Sequence, residues 1–199
     1  LLLIQNRANI YDLGGPTKQN AVEALGPKFY ASFALNDSGG TRTWDRSFED
    51  SKVAFTKGNL GMFFGYSWDI FEIKANNPNL QFTIVPVPQL TDDRSETIAS
   101  YWVEGVSTKS KHQKEAFTFL NYLGKKETLE KLYKLESQQR LFGELYPRRD
   151  MKSLLSSNPL LKTFLDQADN AVSTPFSSET YDGAMNAALN TYLGYAVNS

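Results

Sequence analysis

The sequence predicts an α/β fold, and three observations carry that prediction. Within residues 59–88, a short apolar run (Leu60, Gly61, Met62, Phe63, Phe64) lies between Gly58 and Gly65. Such a run has the length of a buried strand and is too short for a helix. Tyr66–Ser67–Trp68–Asp69 then opens an amphipathic piece with Ile70, Ile73 and Lys74 at helical spacing, and Asn76–Asn77–Pro78 stops it. A second strand-like run, Phe82–Thr83–Ile84–Val85, is closed by Pro86 and Pro88. Strand, helix, strand in that order is the pattern of a layered α/β architecture, in which ligands bind where strands hand over to helices.

The remaining elements follow from the same rules. Residues 1–4 fit a helix end or a strand, and 12–16 form a turn rich in glycine and proline. A helical pattern over 19–35 is broken by Gly26–Pro27 into two helices or a kink. The loop 36–40 delivers Thr43–Trp44–Asp45, and 48–57 forms a short helix with Gly58 as its C-terminal cap. Residues 91–96 read as a polar hairpin-like loop, and 97–103 as extended chain carried on through 107. Ser110 suits the entry of a helix over 113–124 whose apolar residues are Ala116, Phe117, Phe119, Leu120 and Leu123. Helices are expected over 126–135 and 137–141, a turn at 146–150, a helix from Asn158–Pro159 to Ala171, and a small-residue helix over 181–197. No internal repeat or low-complexity segment occurs.

Composition narrows the function. The 199 residues suffice for one large domain or two small ones. Twenty-one basic and 22 acidic residues give a net charge of −1, and the basic clusters at Lys109–Lys111, Lys125–Lys126 and Arg148–Arg149 fall at helix ends and turns. No nucleic-acid partner is expected, because that needs a concentrated basic face. Cysteine is absent, which excludes disulfides and thiolate chemistry and argues against a zinc site. The single histidine, His112, sits in a hydrophilic stretch without the local support of a catalytic base. No apolar run reaches transmembrane length. The opening residues lack the form of a secretion signal and read as the interior of a domain, so the chain is expected to be part of something longer. The sequence lacks G-x-S-x-G, a phosphate loop, the dinucleotide glycine pattern and H-E-x-x-H. No catalytic residue, cofactor or metal ligand is assigned.

Aromatics reach 13%, and several occupy polar neighbourhoods. Three clusters pair them with a carboxylate: Trp44–Asp45, Tyr66-x-Trp68–Asp69 and Tyr101–Trp102-x-Glu104. A sugar ring needs such a pattern, since its C–H face packs on an aromatic ring while hydrogen-bonding groups hold its hydroxyls. Each aromatic taken alone is more often core filling, and it is the recurrence of three clusters that points to a ligand cleft. A glycoside hydrolase using two of Asp45, Asp69 and Glu104 is the enzymatic alternative.

These stretches resemble the second lobe of carbohydrate-type extracytoplasmic solute-binding proteins (family 1), which serve ABC importers. The likeness rests on Phe55, Gly58, Gly61–Met62, Trp68 and Pro86–Val87–Pro88. It continues through Gly105, Val106–Ser107–Thr108–Lys109–Ser110–Lys111, the helix Ala116–Phe117–Thr118–Phe119–Leu120–Asn121–Tyr122–Leu123, the turn at 146–150 and the closing small-residue helix. The resemblance implies a type II periplasmic-binding-protein-like lobe, a mixed sheet flanked by helices. Residues 1–106 and 151–199 would form the second lobe, and 107–150 would pack with a first lobe. It implies reversible, non-catalytic binding of a mono- or oligosaccharide in an inter-lobe cleft, with Trp68 stacking on the sugar. Tyr66, Asp69, Trp44, Tyr101, Trp102 and Glu104 are the further candidates. The implied partners are the carbohydrate and a membrane permease, for a monomer in the periplasm or held at the cell surface as a lipoprotein. A same-fold binding protein for a peptide, polyamine or anion is a further alternative.

Overall fold

The computed structural model describes residues 1–5, 28–34, 43, 47–90, 93, 95–174, 187, 191 and 195. Its chain divides into two units. One comprises Leu1–Phe55, Val87–Ser100 and Gln167–Ser199, and the other Thr56–Pro86 and Tyr101–Asp166. Among the described residues the helices up to residue 174 are α1 (Leu2–Gln5), α2 (helical at residues 28–32), α3 (Ser51–Thr56), α4 (Asp69–Asn76), α5 (Gln113–Leu123), α6 (Lys126–Gln139), α7 (Lys152–Leu155) and α8 (Pro159–Gln167).

The second unit is built on one apolar cluster. Phe142, Met151, Leu155 and Leu161 are fully buried there, joined by Ile70, Leu129, Tyr133 and Leu165. Each helix contributes through helical spacing. Leu129 and Tyr133 are one turn apart on α6, as are Leu161 and Leu165 on α8. Helix α4 adds Ile70, and its Phe71 ring lies 4.4 Å from that of Phe142. Asn158 starts α8, its Oδ1 accepting the Leu160 N–H at 3.0 Å, with Pro159 at the first helical position, where its missing N–H costs nothing. The expected apolar face of α5 is only partly inward. Ala116, Leu120 and Leu123 are half-buried, whereas Phe117 and Phe119 are exposed. Positions 116, 119, 120 and 123 follow the i, i+3, i+4, i+7 stripe with 119 at its edge, and 117 falls off it.

Side-chain bonds fix the connections. Arg148 donates from Nε and Nη2 to both oxygens of Asp150, and from Nη1 to the Gly124 carbonyl at 2.9 Å, tying this turn to the α5–α6 junction. Arg140 bridges Glu136 and Glu144 and lies 5.0 Å from the centre of the Phe71 ring. Ser137 Oγ accepts from the Gly143 N–H and donates to the Tyr133 carbonyl. That brings Gly143 so close to Tyr133 that a Cβ would sit 2.7 Å from the tyrosine's carbonyl oxygen and 2.8 Å from its Cα.

In the first unit, β1 (Thr97–Ile98) and β2 (Ala171–Val172) pair in parallel, with Thr97 opposite Ala171 and Ile98 opposite Val172. Gln89 braces the loop before β1: its Oε1 accepts the Glu96 N–H at 2.8 Å, and its Nε2 donates to the Val87 and Glu96 carbonyls. Asp50 caps α3 by accepting from the Lys52 and Val53 N–H groups, and Gly58 beyond the helix adopts φ +81°.

A parallel strand pair in a helix-rich chain does not conflict with the α/β expectation. Two expected strands are corrected. Residues 60–64 and 82–85 carry no ladder, and Met62 and Phe64 are exposed rather than buried. A strand needs a backbone ladder with a neighbouring strand, and among the described residues neither segment is in one; the Ile84 carbonyl accepts from the Thr163 hydroxyl at 3.1 Å instead. Residues 82–85 keep the alternation of a strand, with Phe82 and Ile84 on the core and Thr83 and Val85 outward. The two helices expected over 126–141 are one helix followed by a turn, and the last expected helix has only Ala187, Thr191 and Tyr195 within the described residues, all helical.

Two outcomes follow for stability. Gly143→Ala must push against the Tyr133 backbone and should lower the unfolding free energy by about 1–3 kcal/mol, read as a lower urea midpoint with an unchanged slope. Burial, reinforced by the Glu136 carboxylate that accepts its hydroxyl hydrogen bond, raises the Tyr146 phenol well above its ordinary value. A folded-state pKa above the unfolded one gives stability that is complete below the unfolded value, about 10 for tyrosine, and is lost as the pH rises through the folded value. Tyr146→Phe should therefore be less stable than wild type by about 1 kcal/mol at neutral pH. The gap should narrow above about pH 10. A gap that does not change with pH would refute the assignment.

Candidate functional site

The chain preceding α4 is wound into a closed four-residue turn. Asp69 donates its backbone N–H to the Tyr66 carbonyl at 3.1 Å, and its Oδ2 accepts the Tyr66 N–H at 2.8 Å. Two reciprocal bonds thus join Tyr66 to Asp69 and enclose Ser67 and Trp68, much as a capping box closes a helix start. Trp68 has helical backbone angles, φ −72° and ψ −22°, and the Phe71 N–H donates to its carbonyl. Ile70, the next residue after the turn, is buried and fixes the helix to the core.

Within this turn the Tyr66 and Trp68 rings stack, with centroids 4.4 Å apart and planes at 15°. The tyrosine is 37% exposed and the tryptophan 47%. With one indole face against Tyr66, the exposure of Trp68 leaves area for a flat apolar ligand surface. Burial, and secondarily the Asp69 carboxylate, raises the Tyr66 phenol above its ordinary value, so it stays a neutral hydroxyl throughout the physiological range. Gly65 also shapes the turn. A Cβ there would lie 2.5 Å from Cε1 of Phe63, so the absence of a side chain admits the Phe63 ring. In the sequence Gly65 stands out only as the end of the apolar run; its packing role depends on where Phe63 lies.

Of the seven sequence-predicted residues, Tyr66, Trp68 and Asp69 therefore come together. Tyr101, Trp102 and Glu104 lie on irregular chain at the start of the 101–166 segment, all exposed, Trp102 to 92%. No hydrogen bond, ion pair or ring contact joins these three to the Tyr66–Trp68 pair. Trp44 and Asp45 lie outside the described residues. The first unit has an open depression of about 400 Å³ lined by Asp93, Ser95, Glu96, Asp169, Asn170, Ala171 and Val172. It contains none of the predicted residues and no aromatic side chain, so it lacks the flat apolar surface of the Tyr66–Trp68 turn. Among the described residues no group of three or more His, Cys, Asp or Glu has the geometry to hold a metal ion.

The turn thus presents an exposed aromatic face beside hydrogen-bonding groups. Among the described residues, no helix is long and apolar enough to cross a membrane. A comparison with curated protein sequences finds no match. A family model described as bacterial extracellular solute-binding protein matches residues 11–140, more than half of the chain and including the whole Tyr66–Asp69 turn. The chain belongs to the bacterial extracellular solute-binding proteins.

Proposed function

We propose that the chain is the solute-recognising component of an ABC-type importer and that its solute is a mono- or oligosaccharide bound without catalysis. One observation carries the choice of solute class: the exposed, stacked Tyr66–Trp68 pair beside Asp69. Stacked aromatics offer a rigid apolar plane, and the C–H face of a pyranose packs on such a plane while its hydroxyls keep polar partners. Tyr101, Trp102 and Glu104 are proposed to complete the cleft, with Trp44 and Asp45 as further candidates. Exposure of Tyr101 and Trp102 supports that role, since both side chains are available to a ligand. The hydrolase alternative needs two carboxylates converging on one bond. Asp69 Oδ2 is engaged by the Tyr66 backbone N–H, which suits a structural carboxylate better than a catalytic one and favours binding over hydrolysis.

The lobe assignment belongs to the same proposal: residues 1–106 and 151–199 as the second lobe, with 107–150 reaching toward a first lobe. Helix α5 supports an outward reach, because it buries no residue and leaves Phe117, Phe119 and Tyr122 exposed. In that architecture the ligand closes the cleft, and the closed form is what a membrane permease would recognise. The protein is proposed to act as a monomer, in the periplasm or anchored at the cell surface as a lipoprotein.

The test is a thermal-shift screen of the full-length protein against a panel of mono- and oligosaccharides. A ligand at a hundred times its dissociation constant stabilises by about 2.7 kcal/mol, a melting shift of roughly 5–10 °C for a domain of this size. The shift should appear with a sugar and disappear in Trp68→Ala while the unliganded melting temperature stays close to wild type. No shift with any sugar, together with a shift on adding a peptide, polyamine or anion, would replace the carbohydrate with that solute class.

A further inference from the structure

We infer that Asp69 and Tyr66 are positioning residues that hold the Trp68 indole in its ligand-ready orientation, and that Asp69 does so through the backbone of Tyr66 rather than by accepting a ligand hydroxyl. The inference deepens the reading of Trp68 as the stacking surface and rests on it for its functional meaning. Its structural content stands on the turn itself.

Three observations lead there. The Asp69 carboxylate spends Oδ2 on the Tyr66 N–H at 2.8 Å, and the Asp69 N–H returns a bond to the Tyr66 carbonyl at 3.1 Å. The enclosed Trp68 has helical backbone angles within the turn, and its indole stacks on the Tyr66 ring at 4.4 Å with the planes at 15°. Gly65 completes the arrangement from the other side, since Phe63 packs where a Cβ would otherwise sit, and the same Cβ would come within 3.1 Å of Asp69 Oδ2. An indole half in water and unsupported would sample several rotamers, and each would have to be frozen out when a ligand binds. The clamp removes that requirement beforehand. Tyr66 contributes its ring face and not its hydroxyl to this role, so the two residues make different demands on a substitution: an acceptor at 69, an aromatic face at 66.

Fluorine NMR on protein carrying 5-fluorotryptophan reads this without any ligand. The three tryptophans give three resonances, and loss of one in Trp68→Phe assigns that residue. The stacked Tyr66 ring shifts the Trp68 signal away from its position in unfolded protein. Asp69→Asn keeps an acceptor oxygen and Tyr66→Phe keeps the ring, so both should leave the signal in place. Asp69→Ala and Tyr66→Leu should move it toward the unfolded position, with melting temperatures close to wild type because Ile70 and the core cluster hold α4. A resonance unmoved by Asp69→Ala or Tyr66→Leu, or moved as far by Asp69→Asn as by Asp69→Ala, would overturn the inference. Titration with the sugar panel adds the functional arm. Asp69→Ala should weaken a binding sugar about tenfold and Asp69→Asn no more than about twofold. Equal loss in both would return Asp69 to direct ligand contact. If no sugar binds wild type, the carbohydrate reading fails and the fluorine signal still decides the positioning role.

Discussion

Burial of Phe142, Met151, Leu155 and Leu161 is the constraint on which the second unit depends, because these four side chains belong to chain segments that cannot meet unless several helices dock together. Fully burying a large apolar side chain gives about 1.5–3 kcal/mol, so the four together supply on the order of 10 kcal/mol before chain entropy is counted. Helix α4 reaches this cluster through Ile70 and Phe71, two and three residues after Trp68. A hydrogen bond in the Tyr66–Asp69 turn contributes about 1 kcal/mol by comparison. The core thus decides where the helix lies, and the turn decides only how the indole at its head is aimed. Loss of the turn's bonds would leave the fold in place and the platform disordered.

The charged contacts play a different part. The Arg148–Asp150 pair holds the Asp150 carboxyl below its ordinary value chiefly through the arginine's hydrogen bonds, and Lys162 does the same for Asp166. Both carboxylates are at the surface, where an ion pair contributes little to stability. What the arginine adds is geometry: by also donating to the Gly124 carbonyl it joins a turn to the end of α5 across 24 residues. Arg140 combines both functions, pairing with Glu136 and Glu144 while its guanidinium lies over Phe71 at the edge of the core. A planar cation on an aromatic face stays partly desolvated at lower cost than an ammonium would, which suits arginine to that position.

What the sequence made legible follows from how local each signal is. The glycine after α3, the Asn158–Pro159 start of α8 and the span of α5 depend on neighbouring residues, and each occurs where expected. The grouping of Tyr66, Trp68 and Asp69 was readable because all three lie within four positions of a turn. Pairing of strands is a property of distant segments, so the apolar run 60–64 promised a strand that its surroundings do not complete, while Thr97–Ile98 found its partner more than 70 residues away. The same non-locality hides the role of Gly143, whose meaning comes from the Tyr133 backbone facing it. Whether Tyr101, Trp102 and Glu104 share a cleft with Trp68 is also a long-range matter, and adjacency in sequence carries no information about it.

The stacked pair finally explains how a solvent-facing tryptophan remains useful. Two exposed aromatic rings hide part of each other's surface, and an offset or parallel pair gains about 0.5–1.5 kcal/mol beyond the area it buries. That gain is comparable to the roughly 0.5–1.5 kcal/mol needed to immobilise a side chain when a ligand binds. Tyr66 therefore offsets the ordering cost of Trp68 within the free protein, and on the proposed reading a ligand would meet a surface already in place. The geometry leaves one face of the indole open, because Tyr66 covers the other at 4.4 Å. On the proposed reading, a single-sided platform on a helix fixed by its own core would need any second aromatic wall to come from other residues, and those residues would set which solute fits.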